Sequence, residues 1–462
     1  MSKAAQTDQP RAAALYESAK KIYPREIDGR FAKLSKLATY ALLGLFYAVP
    51  WLMWDERQAF LFDLPARKFY LLGLTLWPQD FIYLAWLLMM AAFTLFFVTA
   101  LAGRLWCGFA CPQTVWTEAF IWMEQWTEGT RSQRMKLDEA PWSWNKLRRK
   151  GSKQFLWIAF SLWTGFTFVG YFMPIRQLGV DIAALNVGGW TLFWGLFYGF
   201  ATYGNAGYMR EQVCKYMCPY ARFQSAMFDK DTLIISYDET RGEPRGGRKR
   251  SVDRQKEGLG DCIDCTLCVQ VCPTGIDIRD GLQYDCIACA ACIDACDSVM
   301  DKMDYPRGLV RYTTEHSMEG KTSRVLRPRM IVYAALLAIL MTALITSMVT
   351  RTPVILDVIR DRNTLYRELP GDVIENSYTV KIINQSNDAR SFRLSVAGVP
   401  GLTLDGADEV TVDGGDVLSQ PVRARTHRDN AYGIMNITFS VTAADDESVV
   451  VIEESRFLGP TP

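Results

Sequence analysis

Residues 262–273 read CIDCTLCVQVCP, and residues 286–296 read CIACAACIDAC. In each of these cluster runs, four cysteines are separated by two, two and three residues, the spacing of bacterial two-cluster ferredoxins. A 4Fe-4S cubane needs four thiolates: three from the tight start of one run, and the fourth from the end of the other run. The spacing therefore predicts one cluster held by Cys262, Cys265, Cys268 and Cys296, and a second held by Cys286, Cys289, Cys292 and Cys272.

Zinc knuckles and a disulfide framework are the alternative interpretations of the cluster runs. Disulfide frameworks are typical of small secreted domains, and zinc sites use paired C-x2-C elements rather than a tandem of four cysteines. Both alternatives are therefore disfavoured. The runs depart from the ferredoxin pattern at one position, because Asp297 and not proline follows Cys296. The ligand set stays intact, and the change bears only on solvent access to one cluster.

Composition excludes some classes of protein. The formal net charge of +1 gives no indication of nucleic-acid binding. The only two histidines, His316 and His427, lie on opposite sides of the last apolar segment. A haem held by two axial histidines inside a helix bundle is therefore not expected.

Five segments of the 462-residue chain have the apolarity of membrane-spanning helices, which need about 20 residues. They cover residues 36–54, 81–103, 154–174, 188–203 and 330–349. The fourth segment is short and rich in glycine, so a re-entrant or buried helix is its alternative. No short apolar region near the N-terminus ends at a small-residue cleavage site, and we expect the first segment to be retained as an anchor.

Basic residues predict the orientation of these spans. The N-terminal flank of the first span holds Lys20, Lys21, Arg25, Arg30, Lys33 and Lys36, and nine lysines and arginines occupy the loop after the second span. The loops after the first and third spans hold only four. Because basic residues concentrate in cytoplasmic loops, we expect a multi-pass protein with a cytoplasmic N-terminus and ferredoxin segment and a periplasmic C-terminus. All twelve cysteines then lie on the reducing side or at the membrane boundary facing it.

The pattern changes from helical to alternating after the fifth span. Short alternating segments at residues 378–383, 392–396, 417–422, 434–441 and 449–452 are separated by Gly, Pro, Asn and Asp. This pattern predicts a small antiparallel β-sandwich of immunoglobulin type. The segment lacks the cysteine pair and core tryptophan of antibody domains, so the prediction depends on the number and spacing of the strands.

The predicted fold is an α-helical membrane bundle of about five spans with a cytoplasmic two-cluster ferredoxin-like domain and a C-terminal immunoglobulin-like β-sandwich. The chain then divides into five parts. These are a cytoplasmic N-terminal segment (1–35), a four-span membrane domain (36–228), the ferredoxin-like domain (229–329), the fifth span (330–350) and the periplasmic sandwich (351–462).

The remaining four cysteines form an internal repeat, CGFACP at residues 107–112 and CKYMCP at residues 214–219. Cysteines four residues apart share one helix face, and the following proline marks where that helical turn ends or a new helix begins. These paired turns come after the second and fourth spans, which end on the same side. We therefore expect Cys107, Cys111, Cys214 and Cys218 to form one site at the membrane surface.

Four soft sulfur ligands suit Cu(I), zinc or an iron–sulfur cluster. Thiolates stabilise Cu(I) over Cu(II), so an electron arriving at the paired turns would favour reduced copper. Met209 and Met217 are nearby candidate thioether ligands. A third iron–sulfur cluster and a set of buried structural cysteines remain alternatives.

The order of elements resembles the cytochrome c oxidase accessory proteins of the CcoG, RdxA and FixG family. The resemblance rests on the apolar spans, both C-x3-C-P turns, the tandem cluster runs, the last span and the exterior β-domain. It implies a bacterial inner-membrane protein with two 4Fe-4S clusters that supports assembly of a cbb-type haem–copper oxidase. It also implies cupric reductase activity, with copper as substrate or transient ligand of Cys107, Cys111, Cys214 and Cys218.

The implied partners are the lipid bilayer, a cytoplasmic electron donor or quinol, and a copper chaperone or oxidase subunits, with no nucleic acid. Two other functions fit the same motifs. The related membrane ferredoxins of nitrate and nitrous oxide respiration share the turns and clusters and would oxidise quinol. A non-enzymatic assembly scaffold would use the clusters structurally and the sandwich to hold an oxidase subunit.

Overall fold

The computed structural model describes residues 21–252, 254, 256–362, 364–386, 388–406 and 408–461. These residues form two compact units. The first unit combines the chain up to Leu52 with Leu87–Ala338, and the second combines Met53–Trp86 with the chain from Ile339 onward. All twelve cysteines belong to the first unit.

The described residues contain fourteen α-helices and several short 3-10 and π segments. The helices are α1 Arg30–Ala48, α2 Phe81–Ala102, α3 Leu105–Phe109, α4 Pro112–Glu128, α5 Arg131–Glu139, α6 Trp144–Val169, α7 Ile175–Ala183, α8 Gly189–Thr202, α9 Pro219–Met227, α10 Glu239–Gly242, α11 Leu267–Gln270, α12 Ala291–Met303, α13 Glu315–Met318 and α14 Pro328–Val349. The 3-10 turns are Val49–Trp51, Pro78–Asp80, Ile278–Asp280 and Arg428–Asn430, and the π-helical segments are Tyr203–Met209 and Val213–Met217.

Among the described residues, two helices are long and apolar enough to cross a membrane, by length and composition: α2 and α14. Only 11% of the apolar window of each is buried within the structure, so these helices are not the core of a globular domain. They correspond to the second and fifth predicted spans. The other three predicted spans overlap α1, α6 and α8, which are shorter or less apolar. Spanning by those three helices remains a prediction.

Close packing of α6 on α8 depends on glycine. A Cβ added at Gly165 of α6 would lie 2.0 Å from the carbonyl oxygen of Gly195 in α8. A Cβ at Gly199 would lie 3.2 Å from the carbonyl oxygen of Ser161. These glycines of the third and fourth predicted spans therefore let two helix backbones approach each other.

The ferredoxin segment packs into the same unit as these helices. Strand β6 (Ile234–Tyr237) pairs antiparallel with β7 (Val310–Thr313), and α11 and α12 follow the early cysteines of the two cluster runs. Asp294 of α12 caps the start of α1, because its carboxylate accepts hydrogen bonds from the backbone N–H groups of Phe31 and Ala32 at 3.3 and 2.7 Å. The helix containing the last cysteines is thereby fixed to the first long helix of the chain.

The second unit contains the β-sandwich, whose strands are β8 Val354–Arg360, β9 Arg367–Leu369, β10 Val373–Asn384, β11 Arg390–Ala397, β12 Thr403–Asp405, β13 Glu409–Val412, β14 Val417–His427, β15 Ile434–Ala443 and β16 Val450–Leu458. One antiparallel sheet has the order β12-β14-β10-β8, with β9 also on β10, and the other has the order β13-β11-β15-β16. Phe392, Phe439 and Phe457 are fully buried between them. The predicted sandwich is confirmed, with four strands more than the sequence pattern indicated.

The connection between the first two predicted spans also forms strands in this unit. They are β1 Met53–Trp54, β2 Arg57–Gln58, β3 Phe60–Asp63, β4 Lys68–Leu71 and β5 Leu74–Leu76. The Lys68 ammonium donates hydrogen bonds to the Gly415 carbonyl at 2.7 Å and to the Asp416 carboxylate at 3.1 Å in the sandwich. The connection between the first two predicted spans therefore contains strands that the sequence pattern did not indicate. These strands are very short and depend on contacts with the distant sandwich.

Candidate functional site

The two cluster runs adopt the same unusual backbone. Asp264 and Thr266 in the first run have φ angles of 53° and 55°, and Ala288 and Ala290 at the equivalent positions of the second run have 56° and 62°. Left-handed conformations cost non-glycine residues about 1–2 kcal/mol each and concentrate at functional sites. Their repetition on both sides of Cys265 and Cys289 shows that each run is wound into the same tight loop.

The structure brings the eight cysteines of the runs together in two sets. Cys296 lies near enough to Cys262 and Cys268 for their thiolate charges to raise its pKa, after burial, to about 12. Burial and the charges of Cys272 and Cys286 likewise raise the pKa of Cys289. The last cysteine of each run thus lies near early cysteines of the other run. Their roles as ligands remain a prediction.

Backbone N–H groups point at several of these sulfur atoms. The Ala288 N–H donates to Cys286, the Ala291 N–H to Cys289 and the Val310 N–H to Cys296. Each of these hydrogen bonds opposes the rise in pKa that burial causes. Such donors stabilise thiolate and help set the potential of a bound cluster, so the loops fit an iron–sulfur centre.

The paired turns are also assembled in one place. Burial raises the pKa of Cys107 to about 11, and the charges of Cys111 and Cys218 add to this effect. Burial raises the pKa of Cys214 to about 12, and the charges of Cys111, Cys107 and Cys218 contribute in turn. The four thiols therefore lie close enough to interact although about a hundred residues separate the turns. A bound cation would offset this mutual repulsion.

The local helices explain how each turn presents its sulfur atoms. Cys107 lies within α3, and Cys111 precedes Pro112, the first residue of α4. Backbone N–H groups of Gln113 and Thr114 at the start of α4 donate to the Cys111 sulfur. In the second turn, Cys214 lies in the π-helical segment Val213–Met217. π segments are rare and occur frequently at functional sites.

Two glutamines tie the turns to each other. Gln224, fully buried in α9 beyond the second turn, donates from Nε2 to the Cys107 sulfur of the first turn at 3.4 Å. Gln113, beyond the first turn, donates from Nε2 to the carbonyl oxygens of Asn205 and Arg210 at 2.9 and 3.1 Å, just before the second turn. Each turn is thus hydrogen-bonded to the chain around the other.

A buried ion-pair network supports the second turn. Arg210, four residues before Cys214, has a φ of 43° and donates from Nη2 to the Glu124 carboxylate of α4 at 2.8 Å. Arg134 lies 3.4 Å from the same carboxylate, and both Glu124 and Arg134 are fully buried. Burial alone would raise the pKa of Glu124, but these cations and Lys21 hold it at about 2. The ionised carboxylate therefore holds Arg210 in its strained conformation.

The second cluster run packs directly against the first turn. A Cβ added at Gly108, between Cys107 and Cys111, would lie 2.8 Å from the carbonyl oxygens of both Ile287 and Ala288. Arg104 reaches the same run, because its Nη1 donates to the carbonyl oxygen of Cys286 at 3.0 Å. Only a glycine allows this approach, which brings the backbone of the first paired turn into contact with the backbone of the second cluster run.

The donor set fits iron–sulfur clusters in the runs and a soft metal ion at the turns. All twelve cysteines are free. Across the part of the chain that the structure describes, no group of three or more His, Cys, Asp or Glu side chains is arranged to hold a metal ion as it stands. Binding would require the thiols to lose their protons.

Three family models match the chain. Residues 209–315 match a 4Fe-4S dicluster domain, and residues 84–129 match a 4Fe-4S binding domain. Residues 344–460 match the immunoglobulin-like fold at the C-terminus of FixG. The nitrogen fixation protein FixG of Rhizobium meliloti is 38% identical over 439 residues, covering 87% of this chain and 83% of that protein. The chain belongs to the FixG and RdxA family.

Two further relatives come from Cereibacter sphaeroides. Protein RdxB is 40% identical over 428 residues, covering 89% of this chain and 90% of its own length. Protein RdxA is 38% identical over 458 residues, covering 96% of this chain and 94% of its own length. The crystal structure of a FixG-related protein from Vibrio parahaemolyticus is 31% identical, covers 23% of this chain and 96% of that chain, and gives a TM-score of 0.22. The family resemblance is confirmed, and the protein is an iron–sulfur electron-transfer protein.

Sequence reasoning missed the residues around the paired turns. Gln113, Gln224, Glu124 and Arg210 carry no spacing motif of their own. The signal that could have drawn attention to Glu124 was its charge: Glu118, Glu124 and Glu128 are interspersed with aromatic and apolar residues in α4. Buried charges of this kind need partners, and the partners lie far away in the sequence.

Proposed function

We propose that this protein passes single electrons from its clusters to Cu(II) held at the paired turns, and supplies Cu(I) for assembly of a cbb-type haem–copper oxidase. The observation that carries the proposal is the contact of Gly108 in the first turn with Ile287 and Ala288 in the second cluster run. This contact gives electrons a short path from the second cluster run to the paired turns. The role in oxidase assembly follows from the family resemblance alone.

The chain's own residues have defined parts in this proposal. When bound, the two cubanes supply one-electron transfer. Cys107, Cys111, Cys214 and Cys218 bind the copper ion as thiolates, and soft ligands favour its reduced state. One electron converts Cu(II) to Cu(I) and leaves the donor oxidised by one electron. Gln224 orients the Cys107 sulfur by hydrogen bonding, and Glu124 positions the second turn through Arg210.

We also propose an inner-membrane location with the clusters on the cytoplasmic side. Support comes from α2 and α14, which are apolar and scarcely buried, and from the basic loops near the cysteines. Further support comes from the second unit, in which the strands after the first predicted span join the C-terminal sandwich. Both segments would then lie on the periplasmic side.

An anaerobic assay tests the copper reaction. The purified protein is reduced with dithionite, excess reductant is removed, and Cu(II) is added while a chromogenic chelator captures Cu(I). A variant with serine at Cys107, Cys111, Cys214 and Cys218 is treated in parallel. We expect stoichiometric Cu(I) from the wild type and little from the variant, with cluster absorbance equal in both. Equal Cu(I) from both proteins would contradict the proposal.

A further inference from the structure

A cavity of about 690 Å³ lies inside the first unit, between the start of α1, α4 and the second cluster run. Cys289 of the second cluster run and Cys214 of the paired turns both line it. Its volume falls within the range of about 300–1,000 Å³ that is typical of sites for small organic ligands. A copper ion needs far less space, so the cavity has room for something else.

The walls combine aromatic surface with a few hydrogen-bonding groups. Tyr40 of α1 packs against Trp122 of α4 with ring centroids 4.9 Å apart. Trp122 donates from Nε1 to the Glu118 carboxylate at 3.0 Å, and Glu118 and Thr117 line the same wall. A flat ring with hydroxyl groups would find stacking surface and a hydrogen-bond acceptor here.

The charges on the walls disfavour a nucleotide. Four carboxylates line the cavity, against three basic side chains, Arg25, Lys36 and Arg210. Arg210 is paired with Glu124 at 2.8 Å, and Lys36 lies 4.0 Å from Asp28. An excess of negative charge repels phosphate groups, so nicotinamide and flavin nucleotides fit poorly.

Exposed aromatic rings lie at the cavity's edge. Tyr40 is 63% exposed and Trp126 is 73% exposed, and both line the cavity. Tyr40 belongs to α1, the helix that overlaps the first predicted span. Aromatic residues of this kind are typical of the membrane–water interface, so a ligand dissolved in lipid could enter there.

We propose that this cavity binds a membrane hydroquinone, with Glu118 accepting a hydrogen bond from a ring hydroxyl beside the second cluster run. The inference rests on the proposed function, because it supplies the electrons that copper reduction consumes. With both clusters bound, oxidation of the hydroquinone to a quinone would release two protons and two electrons, and each cluster would accept one electron. Glu118 takes the first proton, and both protons leave to water on the open side of the cavity.

Photo-crosslinking tests the site directly. Full-length protein in nanodiscs is irradiated with an azido-substituted quinone, and the labelled peptides are identified by mass spectrometry. We expect labelling of Pro112–Glu128 or Arg30–Ala48 that decyl-substituted hydroquinone suppresses. Labelling confined to segments that do not line the cavity, or labelling that the hydroquinone does not suppress, would overturn the proposal.

Rapid mixing tests the redox step. Decyl-substituted hydroquinone is mixed anaerobically with oxidised protein, and its quinone with dithionite-reduced protein, so that one direction is observable whatever the cluster potentials. The rate at which cluster absorbance changes should saturate as the concentration of hydroquinone or quinone rises. Glu118→Gln and Trp122→Phe should each slow the reaction at least about tenfold, since a hydrogen bond to a charged group is lost or misplaced. Glu139→Gln, on the exposed end of α5, is the matched control.

The outcomes separate this inference from the proposed function. If both cavity variants react as fast as Glu139→Gln, the hydroquinone site is wrong. The site is also wrong if the reaction rate of the wild type does not saturate as the hydroquinone or quinone concentration rises. The dithionite-reduced variants should still reduce Cu(II) at the wild-type rate. If Cu(II) fails to oxidise even the wild type while quinone does so with saturation, the copper reaction is wrong and the cavity assignment stands.

Discussion

The cluster runs and the paired turns place their cysteines by different means. Each run is contiguous, and its loop is set by backbone conformations that recur at Asp264 and Ala288 and at Thr266 and Ala290. The paired turns are more than a hundred residues apart, and their meeting depends on buried side chains elsewhere. Spacing alone therefore specifies most of the first arrangement, whereas the second is a product of the tertiary fold.

The largest expected effect comes from removing a cysteine of a run. Cys289→Ser should abolish the second cluster and lower the iron content from about eight to about four per chain, since each cubane needs four thiolates. Iron analysis and visible absorbance would measure this loss. Cys218→Ser in a turn is the matched comparison and should leave about eight iron atoms. Equal iron loss in both variants would contradict the division between runs and turns.

The next effect concerns the buried network behind the second turn. Glu124→Gln removes the charge that pairs with Arg210 and Arg134. Leaving buried cations uncompensated costs about 3–5 kcal/mol. We expect a lower free energy of unfolding, measured by circular dichroism in denaturant, and weaker Cu(I) binding. Glu139→Gln, at an exposed position in α5, should change neither quantity.

The same carboxylate predicts a dependence on pH. The pKa of Glu124 is about 2 in the folded protein, below its ordinary value of 4.5. Its contribution to stability is therefore complete above about pH 4.5 and is lost as the pH falls toward 2. Wild type should lose stability more steeply than Glu124→Gln between pH 4.5 and 2 in parallel unfolding titrations. Parallel curves would show that Glu124 is not the titrating group.

A smaller effect is expected at the contact between the first paired turn and the second cluster run. Gly108→Ala places a Cβ 2.8 Å from two carbonyl oxygens of the second cluster run, so the run must shift. Overpacking of this kind costs about 1–3 kcal/mol, and a displacement near 1 Å can slow a reaction about 100-fold. Cu(II) reduction measured by stopped flow should slow by about 10- to 100-fold. Gly151→Ala, which meets open space in α6, should react like wild type.

The smallest effect concerns one hydrogen bond. Gln224→Leu removes the donor to the Cys107 sulfur. Loss of a partner that orients a metal ligand typically lowers metal affinity about 10- to 100-fold. Competition with a Cu(I) chelator would measure the change, while cluster absorbance should stay the same. Gln177→Leu on the exposed face of α7 is the control, and equal affinities in the two variants would remove Gln224 from the site.

Sequence predicted what is local and missed what is long-range. The cysteine spacing, the alternating strands and the long apolar helices each carry a periodic signal, and the structure contains loops, strands and helices at those places. The strands at residues 53–76 carry little pattern and depend on the sandwich, for example through Lys68. Gln224 and Glu124 have no signature, because their partners are fixed only once the chain has folded.

The separation of clusters and copper is tested most directly by counting metals and identifying their ligands. Purified protein is loaded with one equivalent of Cu(I), its iron and copper are measured, and X-ray absorption at the copper edge identifies the copper ligands. We predict about eight iron atoms per chain and copper bound by sulfur, with the copper lost when Cys107, Cys111, Cys214 and Cys218 become serine. About twelve iron atoms, falling to about eight in that variant, would show a third cluster at the paired turns and contradict this account.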